Sequence, residues 1–166
     1  MDILFKRQSC RQYKPDSIAQ KDLDYILHAG MSSPSAMNTR PWYFIIVKNK
    51  QTHEKIMDIH SASQMLKNAP VAIFVCADMK KQYKGYWQQD CAASTQNILL
   101  AATSKGYGSV WCGVYPVEDR VKNFSKMLKL PKNIIPFSLI IIGKPAQKKK
   151  KKDRWEPEKI RYEKWQ

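Results

Sequence analysis

Apolar residues along this chain occur in two patterns, which predict buried strands and amphipathic helices in alternation. Four short runs rich in β-branched and aromatic residues predict strands at residues 42–47, 71–77, 109–115 and 137–142. The first two runs are apolar throughout, so we expect them to be buried on both faces of a sheet. The stretches between the runs have helical spacing. Together they predict an α+β or α/β sandwich around a sheet of four or five strands.

Two signals predict the ends of the helix that precedes the first strand. Ser17 is typical of an N-cap, with Gln20 three positions later as its partner in a capping box. Gly30 is typical of the residue that follows a helix, because glycine readily adopts the left-handed conformation that ends one. We therefore expect a helix that begins after Ser17 and ends before Gly30.

Two further stretches carry helical spacing. Residues 52–68 predict one or two helices, on which His53 and His60 are expected at the surface rather than as ligands. The longest helix is expected from Trp87 to about residue 104. Its buried stripe contains small residues, which permit close contact with another helix. Both burial within one subunit and a position at a dimer interface explain this stripe.

The chain is strongly basic. Its 166 residues fit one domain, and they carry a formal net charge of +15. Residues 144–166 form a basic C-terminal extension, with ten Lys and Arg against four Asp and Glu, so residues 1–143 hold the remaining +9. Such a surface attracts phosphate groups, whether they belong to a nucleic acid or to an anionic cofactor. The end of the extension is too apolar for a free tail, so we expect it to dock on a protein surface, such as that of a second subunit.

Several classes of protein are not supported by the residues. No apolar run approaches the ~18 residues of a membrane span, and the first residues lack the order of a signal peptide, so a cytoplasmic location is expected. The four cysteines form no C-x-x-C pair and the three histidines do not cluster, so no metal site is expected. Neither a Rossmann glycine motif nor a P-loop is present. Because no catalytic side chains stand out, a bound cofactor is the expected source of the chemistry.

The first candidate binding stretch lies near the amino terminus. Residues 6–13 bring Arg7, Ser9 and Arg11 close together, and arginine presents a planar fork of donors that matches phosphate oxygens. Arginines at a solvated helix surface are the alternative interpretation. Three distant stretches suit the same anionic partner, at residues 33–42, 106–116 and 152–154.

These four stretches, in this order, resemble the FMN-dependent nitroreductase family in its short single-domain form. The likeness extends from about residue 4 to residue 165. It implies an α+β, three-layer sandwich with a central, mostly antiparallel sheet of four or five strands flanked by helices. It also implies a homodimer with FMN at the subunit interface, in which the C-terminal tail docks on the partner subunit.

The resemblance also assigns residues to the cofactor. Arg7 and Ser9 are implied to hold the FMN phosphate, together with Lys152 and Arg154 from the tail. Arg11 is implied to face the pyrimidine end of the flavin ring, where positive charge stabilises the anionic reduced form. Lys152 is chosen among five consecutive lysines because it stands two residues before Arg154, as in the family's K-x-R arrangement.

Two further groups are implied to line the flavin ring. A loop from the other subunit is implied to line the ribityl chain and one ring edge, and the backbone of the third strand's end is implied to lie near flavin N5. Gln64 is an additional candidate beside the ring. The residues of the loop are Pro34, Ser35, Ala36, Met37 and Asn38, and those of the strand end are Cys112, Gly113 and Val114. Arg40 stands where the family more often has glutamine, which adds a positive group near the subunit boundary.

The activity that the resemblance implies is that of an NAD(P)H oxidoreductase. Hydride passes from NAD(P)H to FMN, and a nitroaromatic, quinone or similar acceptor is then reduced in a ping-pong cycle, with no catalytic side chain required. A flavin-binding protein without significant turnover is one alternative. A basic nucleic-acid-binding domain is another, although the sequence contains no recognition motif for it.

Overall fold

A computed structural model describes residues 2–147 and 153–165 of the chain. In this part of the chain, four strands form one antiparallel sheet in the order β1-β2-β4-β3. The strands are β1 (Trp42–Val47), β2 (Val71–Asp78), β3 (Gly108–Gly113) and β4 (Ile134–Gly143). Each predicted strand is therefore present, and β1 and β3 form the two edges of the sheet.

The two strands that we expected to be buried on both faces differ in position. Every residue of β2 is buried, because β2 is a central strand with a neighbour on each side. In contrast, Tyr43 on β1 is 45% exposed. The prediction was therefore right for β2 and wrong for β1, which is an edge strand that the helices cover only in part.

The described helices include the three stretches for which the sequence predicts helices, which lie before the first strand, at residues 52–68 and from Trp87. They are α1 (Ile3–Lys6), α2 (Gln20–Met31), α3 (Lys50–Ile59), α4 (Trp87–Ser104) and α5 (Glu118–Met127), with 3₁₀ turns at Ala36–Asn38, Ser61–Lys67 and Pro157–Lys159. The longest helix has its predicted bounds, and the stretch 52–68 contains two helical segments. None of the described helices combines the length and apolar character needed to cross a membrane.

Helices cover both faces of the sheet and produce a three-layer α+β sandwich. On one face, Ile26 of α2 and Ile98 of α4 pack in a core with Ile73 of β2. On the other face, Ile56 of α3 and Phe124 of α5 pack in a separate core with residues of β2 that include Phe74. Neighbouring residues of β2 thus point to opposite cores, as the two-residue period of a strand requires.

The expected ends of α2 were not correct in detail. The helix begins at Gln20 after Ala19, which makes no side-chain capping bond, so Ser17 is not its N-cap. Gly30 lies inside the helix rather than after it. A Cβ added at Gly30 would lie 2.8 Å from Ile98 Cγ1, so glycine is needed there for close packing of α2 on α4.

His53 lies on α3 and His60 is the C-cap of that helix, and both are buried, contrary to the prediction. His53 is 3% exposed and its Nε2 lies 3.1 Å from the Val47 carbonyl oxygen. His60 is 2% exposed and its Nε2 lies 3.0 Å from the Gly113 carbonyl oxygen. A surface position was expected from helical spacing alone, which gives no information about carbonyls that distant strands bring near the helix.

Candidate functional site

The amino-terminal stretch lies along the outer edge of β3. Arg7 follows α1, and its N–H donates to the Ile3 carbonyl at 3.2 Å. Three residues later, the Cys10 N–H donates to the Ser109 carbonyl at 2.8 Å, and Ser9 forms a parallel bridge with Ser109. The fold thus carries the segment with Arg7, Ser9 and Arg11 to the side of β3 opposite β4.

Two features hold this segment close to the sheet. A Cβ added at Gly108 would lie 2.7 Å from both Cβ and Sγ of Cys10, so only glycine at position 108 permits this approach without displacement. The Tyr13 hydroxyl donates toward the Cys10 carbonyl at 2.7 Å and the Ile141 carbonyl at 3.1 Å. Burial raises the pKa of Tyr13 well above its ordinary value, so this hydroxyl remains protonated and able to donate.

The outer edge of β3 presents backbone groups that do not point at β4. In an antiparallel pair, successive residues turn their N–H and C=O groups alternately toward and away from the neighbouring strand. The Ser109 carbonyl accepts from Cys10, so Ser109 faces outward, and Gly113, four residues later, has the same orientation. The Val114 N–H donates to the Phe137 carbonyl of β4 at 3.3 Å, in agreement with this alternation. The N–H and C=O of Gly113 therefore face away from the sheet.

Gly113 combines an open surface with a fixed carbonyl. A Cβ added there would meet no described atom within 4 Å. Its carbonyl accepts from His60 Nε2 at 3.0 Å and from Arg120 Nη1 at 2.9 Å. The exposed backbone at Gly113 can therefore meet the edge of a planar ligand without steric interference from a side chain.

Positive charge lies beside this open backbone. Burial raises the pKa of the Cys112 thiol to about 11, while the guanidinium groups of Arg11 and Arg120 act in the opposite direction. Both arginines therefore exert their field at the residue that precedes Gly113, although they come from the amino-terminal segment and from α5. The thiol is buried and neutral, and its Sγ lies 3.7 Å from the Ala62 carbonyl. This combination favours an anionic or electron-rich ligand rather than thiol chemistry.

The loop at residues 34–40 lies over the start of α4. Met37, Asn38 and Arg40 have positive φ values of 50°, 54° and 45°, a conformation that non-glycine residues rarely adopt. The Ala36 N–H donates to Asp90 Oδ1 of α4 at 2.9 Å. Such backbone strain persists only where the surroundings hold it and is common in ligand-binding loops.

Asp90 is an unusual anchor for this loop. Its side chain is 4% exposed, and its second oxygen, Oδ2, has no hydrogen-bond partner among the described residues. The carboxylate lines an open depression of about 400 Å³. The other lining residues are Pro34, Ser35, Ala36, Tyr86, Gln89 and Ala93. Within one chain, this depression lies on the loop and α4, whereas Gly113 lies at the end of β3.

The remaining candidate residues are placed as follows. Gln64 is exposed on the 3₁₀ turn, and its amide donates to the Met57 carbonyl at 3.1 Å. Arg154 is exposed in the C-terminal segment, and Lys152 lies outside the described residues. Among residues 2–147 and 153–165, no group of His, Cys, Asp or Glu is arranged to hold a metal ion.

Three residues of this region were not identified from the sequence. His60 was expected at the surface, and nothing in the sequence relates Arg120 or Asp90 to the backbone groups that they contact. These contacts join residues 53, 7 and 54 positions apart, respectively. The only available signals were an acid within an otherwise apolar helix stripe for Asp90 and an arginine shortly after the glycine for Arg120.

Comparisons with known proteins agree on one family. The model of the nitroreductase family matches residues 4–64 and 57–144. A protein of Methanothermobacter thermautotrophicus, provisionally named NADH dehydrogenase/NAD(P)H nitroreductase, is 44% identical over 99% of this chain and 87% of its own length. Two solved structures are also similar. A provisionally named NADH oxidase of Clostridium acetobutylicum has a TM-score of 0.95 and 38% identity, covering 99% of this chain and 100% of its own. An FMN-dependent nitroreductase of Clostridium difficile has a TM-score of 0.92 and 29% identity, covering 98% of each chain.

Proposed function

This chain belongs to the nitroreductase family, and from that premise we propose that it is an FMN-dependent NAD(P)H oxidoreductase that reduces a nitroaromatic, a quinone or a similar acceptor. The observation that carries the proposal is the outer edge of β3. This edge places the phosphate-binding candidates at one end and the open backbone of Gly113 at the other. The two ends are four residues apart on the strand, or about 13 Å at the usual rise of a strand.

The residues present fit this cofactor. When bound, FMN supplies the redox chemistry, accepting hydride from NAD(P)H and passing electrons to an acceptor in a separate half-reaction. The protein contributes the binding site, an oriented backbone donor at Gly113 and the positive charge of Arg11 and Arg120. Because Gly113 has no side chain and the space beside it is open, the ring edge can approach this backbone without steric interference.

Arg7 and Ser9 are the proposed phosphate ligands. Arg7 is half-buried immediately after α1, and its backbone N–H is held by the Ile3 carbonyl. The neighbouring backbone is tied to Ser109 through Cys10, which limits the ordering that binding requires. Lys152 and Arg154 are proposed to join them from the tail, whose positive charge suits the same phosphate.

We propose a homodimer with FMN at its subunit interface. The loop 34–38 lies over α4 in its own chain, so its proposed contact with the ring comes from the partner subunit. The C-terminal segment exposes large aromatic side chains, with Trp155 71%, Tyr162 82% and Trp165 87% exposed in the single chain. Aromatic surface of this extent favours docking on another protein surface, and we propose that the partner subunit provides it.

The proposal is tested by an absorption spectrum of the purified protein, recorded without oxygen before and after addition of NADH or NADPH. The expected result is a set of oxidised-flavin bands that bleach when the nicotinamide is added and return when a nitroaromatic or quinone is added. Flavin bands that persist after addition of either nicotinamide would favour a flavin-binding protein without turnover. A colourless protein that takes up no added FMN would contradict the proposal, and salt-dependent nucleic-acid binding would be measured next.

A further inference from the structure

The Gly113 carbonyl is held by two side chains from separate parts of the fold. His60 is the residue between α3 and the 3₁₀ turn, and its Nε2 lies 3.0 Å from the Gly113 oxygen. Arg120 lies on α5, and its Nη1 donates to the same oxygen at 2.9 Å. A carbonyl oxygen has two lone pairs, so these two donors satisfy it fully.

The environment of His60 restricts it to one protonation state. The Gly113 carbonyl oxygen can only accept, so His60 Nε2 carries the proton that it donates to Gly113. The positive charge of Arg120 disfavours a second proton on the same ring. Nδ1 is then an unprotonated acceptor, and it has no hydrogen-bond partner among the described residues. His60 is 2% exposed, so its bond to Gly113 is the polar contact that its buried ring makes in this part of the chain.

The hydrogen bonds from His60 and Arg120 restrain Gly113, a residue whose backbone tolerates a wider range of conformations than that of other residues. It is the last residue of an edge strand, it is exposed, and it has no Cβ to limit its backbone dihedral angles. The next residue, Val114, is tied to β4 through its N–H. A fixed carbonyl oxygen at Gly113 therefore sets the plane of the peptide that links Gly113 to Val114. The N–H of Gly113 lies in the preceding peptide, whose residue Cys112 pairs with Leu139 of β4, so the two restraints together hold the Gly113 backbone on both sides.

We propose that His60 and Arg120 are positioning residues that hold the Gly113 backbone in register with the flavin ring. This inference rests on the proposed function, because it assigns the outward N–H of Gly113 to the bound ring. His60 supplies a neutral donor that does not change the charge of the site, whereas Arg120 supplies both a donor and a fixed positive charge. Neither side chain transfers a proton or electrons.

A merely structural role makes a different prediction. His60 and Arg120 also connect α3 and α5 to the end of β3, so their removal lowers stability whether or not a ligand is bound. A positioning role requires, in addition, that the Gly113 backbone changes in the folded protein and that the rate of flavin reduction changes at saturating FMN.

The test uses single variants of the whole chain that either remove or keep the hydrogen-bond donor to the Gly113 carbonyl. His60→Leu removes the donor and keeps an apolar side chain, whereas His60→Gln keeps an amide donor near the position of Nε2. Arg120→Gln removes the charge on α5, and Lys122→Gln removes one charge from the exposed face of the same helix as a matched control. The first readout is the ¹³C chemical shift of the Gly113 carbonyl in flavin-free protein. The second is the anaerobic rate at which NADH reduces the FMN-loaded protein.

We expect His60→Leu and Arg120→Gln to shift the Gly113 carbonyl signal and to slow reduction about fivefold or more, the scale of one lost hydrogen bond. His60→Gln should retain most of the rate, and Lys122→Gln should match the wild type in both readouts. Because both donors act on one carbonyl, the double variant His60→Leu/Arg120→Gln should lose less than the product of the single effects.

Two outcomes overturn the inference in distinguishable ways. If the wild type is reduced normally and folded His60→Leu and Arg120→Gln proteins keep its rate and its Gly113 signal, the positioning role is wrong and the proposed function stands. If the wild type takes up no FMN, the proposed function fails and the positioning role fails with it. If one of the two single variants unfolds, the other carries the test, and wild-type values of both its Gly113 signal and its reduction rate overturn the positioning role.

Discussion

His53 and His60 lie seven residues apart, and both imidazoles are buried against backbone carbonyls of strands. His53 meets the end of β1, where its bond to Val47 connects a helix to the sheet. His60 meets Gly113, at the proposed flavin site. The two histidines are thus equally buried, and they differ in the strand carbonyl that each one contacts.

The protonation of His60 should make stability depend on pH. Burial and the nearby Arg120 charge lower the pKa of His60 below its ordinary value of 6.5 in the folded protein. The unfolded chain therefore binds a proton at His60 more readily than the folded protein does. The contribution of neutral His60 to the free energy of unfolding is complete above pH 6.5, and it is lost as the pH falls from 6.5 through the lower pKa of the folded protein. The free energy of unfolding, measured in urea between pH 8 and pH 5, should fall more steeply for the wild type than for His60→Gln.

Arg7 offers a second test with a single side chain. Arg7→Ala should weaken FMN binding by about 1–3 kcal/mol, the scale of a charge-assisted hydrogen bond to phosphate. Lys6→Ala is the control, because Lys6 is the exposed neighbour of Arg7 and carries the same charge. FMN titration followed by fluorescence measures both affinities. Equal losses in the two variants would indicate a general effect of charge and would remove Arg7 from the site.

Among the elements of the fold, the loop 34–40 and the helix α4 are linked by one buried carboxylate. Asp90 lies in the first turn of α4 and accepts the Ala36 N–H, while the hydroxyl and backbone bonds of the loop are made within the loop itself. The strained conformation at Met37, Asn38 and Arg40 therefore depends on an anchor outside the loop. We therefore expect Asp90 to hold the conformation of this loop.

Removal of this anchor should loosen the loop without unfolding the protein. Asp90→Ala leaves the half-buried Ala36 N–H without its acceptor, which costs about 1 kcal/mol locally, the scale of one hydrogen bond. Amide hydrogen exchange at Ala36 should accelerate several-fold as a result. Asp90→Asn retains an acceptor oxygen and should keep exchange close to that of the wild type. Unchanged exchange in Asp90→Ala would show that other contacts hold the loop.

The molecule as a whole consists of a well-buried sandwich and an exposed C-terminal segment. The two cores on either side of the sheet are complete within one chain, with twelve large side chains that are less than 2% exposed. The C-terminal segment, in contrast, is exposed throughout its described residues 153–165. The three exposed aromatic residues of the tail are the observation that supports the proposed dimer.

Substitution of the tail aromatics should therefore shift the protein toward monomer. The triple variant Trp155→Ser, Tyr162→Ser and Trp165→Ser removes most of the apolar surface of the tail, and loss of such anchors typically weakens an interface by several kcal/mol. Sedimentation velocity over a range of concentrations measures the effect. Tyr43→Ser, which alters an exposed aromatic of β1 outside the tail, should leave the wild-type distribution unchanged. A wild type that is monomeric at all concentrations would contradict the proposed dimer.

The sequence by itself determined those features that depend on local spacing. The four strands follow from short runs of β-branched and aromatic residues, and the long helix α4 follows from apolar positions at helical spacing, both of which a single chain displays directly. The resemblance of four ordered stretches was also readable, and the family comparison confirms it. The assigned contacts of Arg7, Ser9 and Arg11 with FMN stay predictions.

The tertiary structure decided what depends on residues that are distant in sequence. Ser17 is not the cap of α2, Gly30 serves helix packing, and β1 is a partly exposed edge, because strand order and helix contacts are set by the whole chain. The same reason explains why His60 was wrongly expected at the surface and why Arg120 was not identified from the sequence. Their common partner is a backbone carbonyl, which every residue possesses, so no pattern of side chains marks it. Only the fold brings α3, α5 and the end of β3 to one oxygen atom.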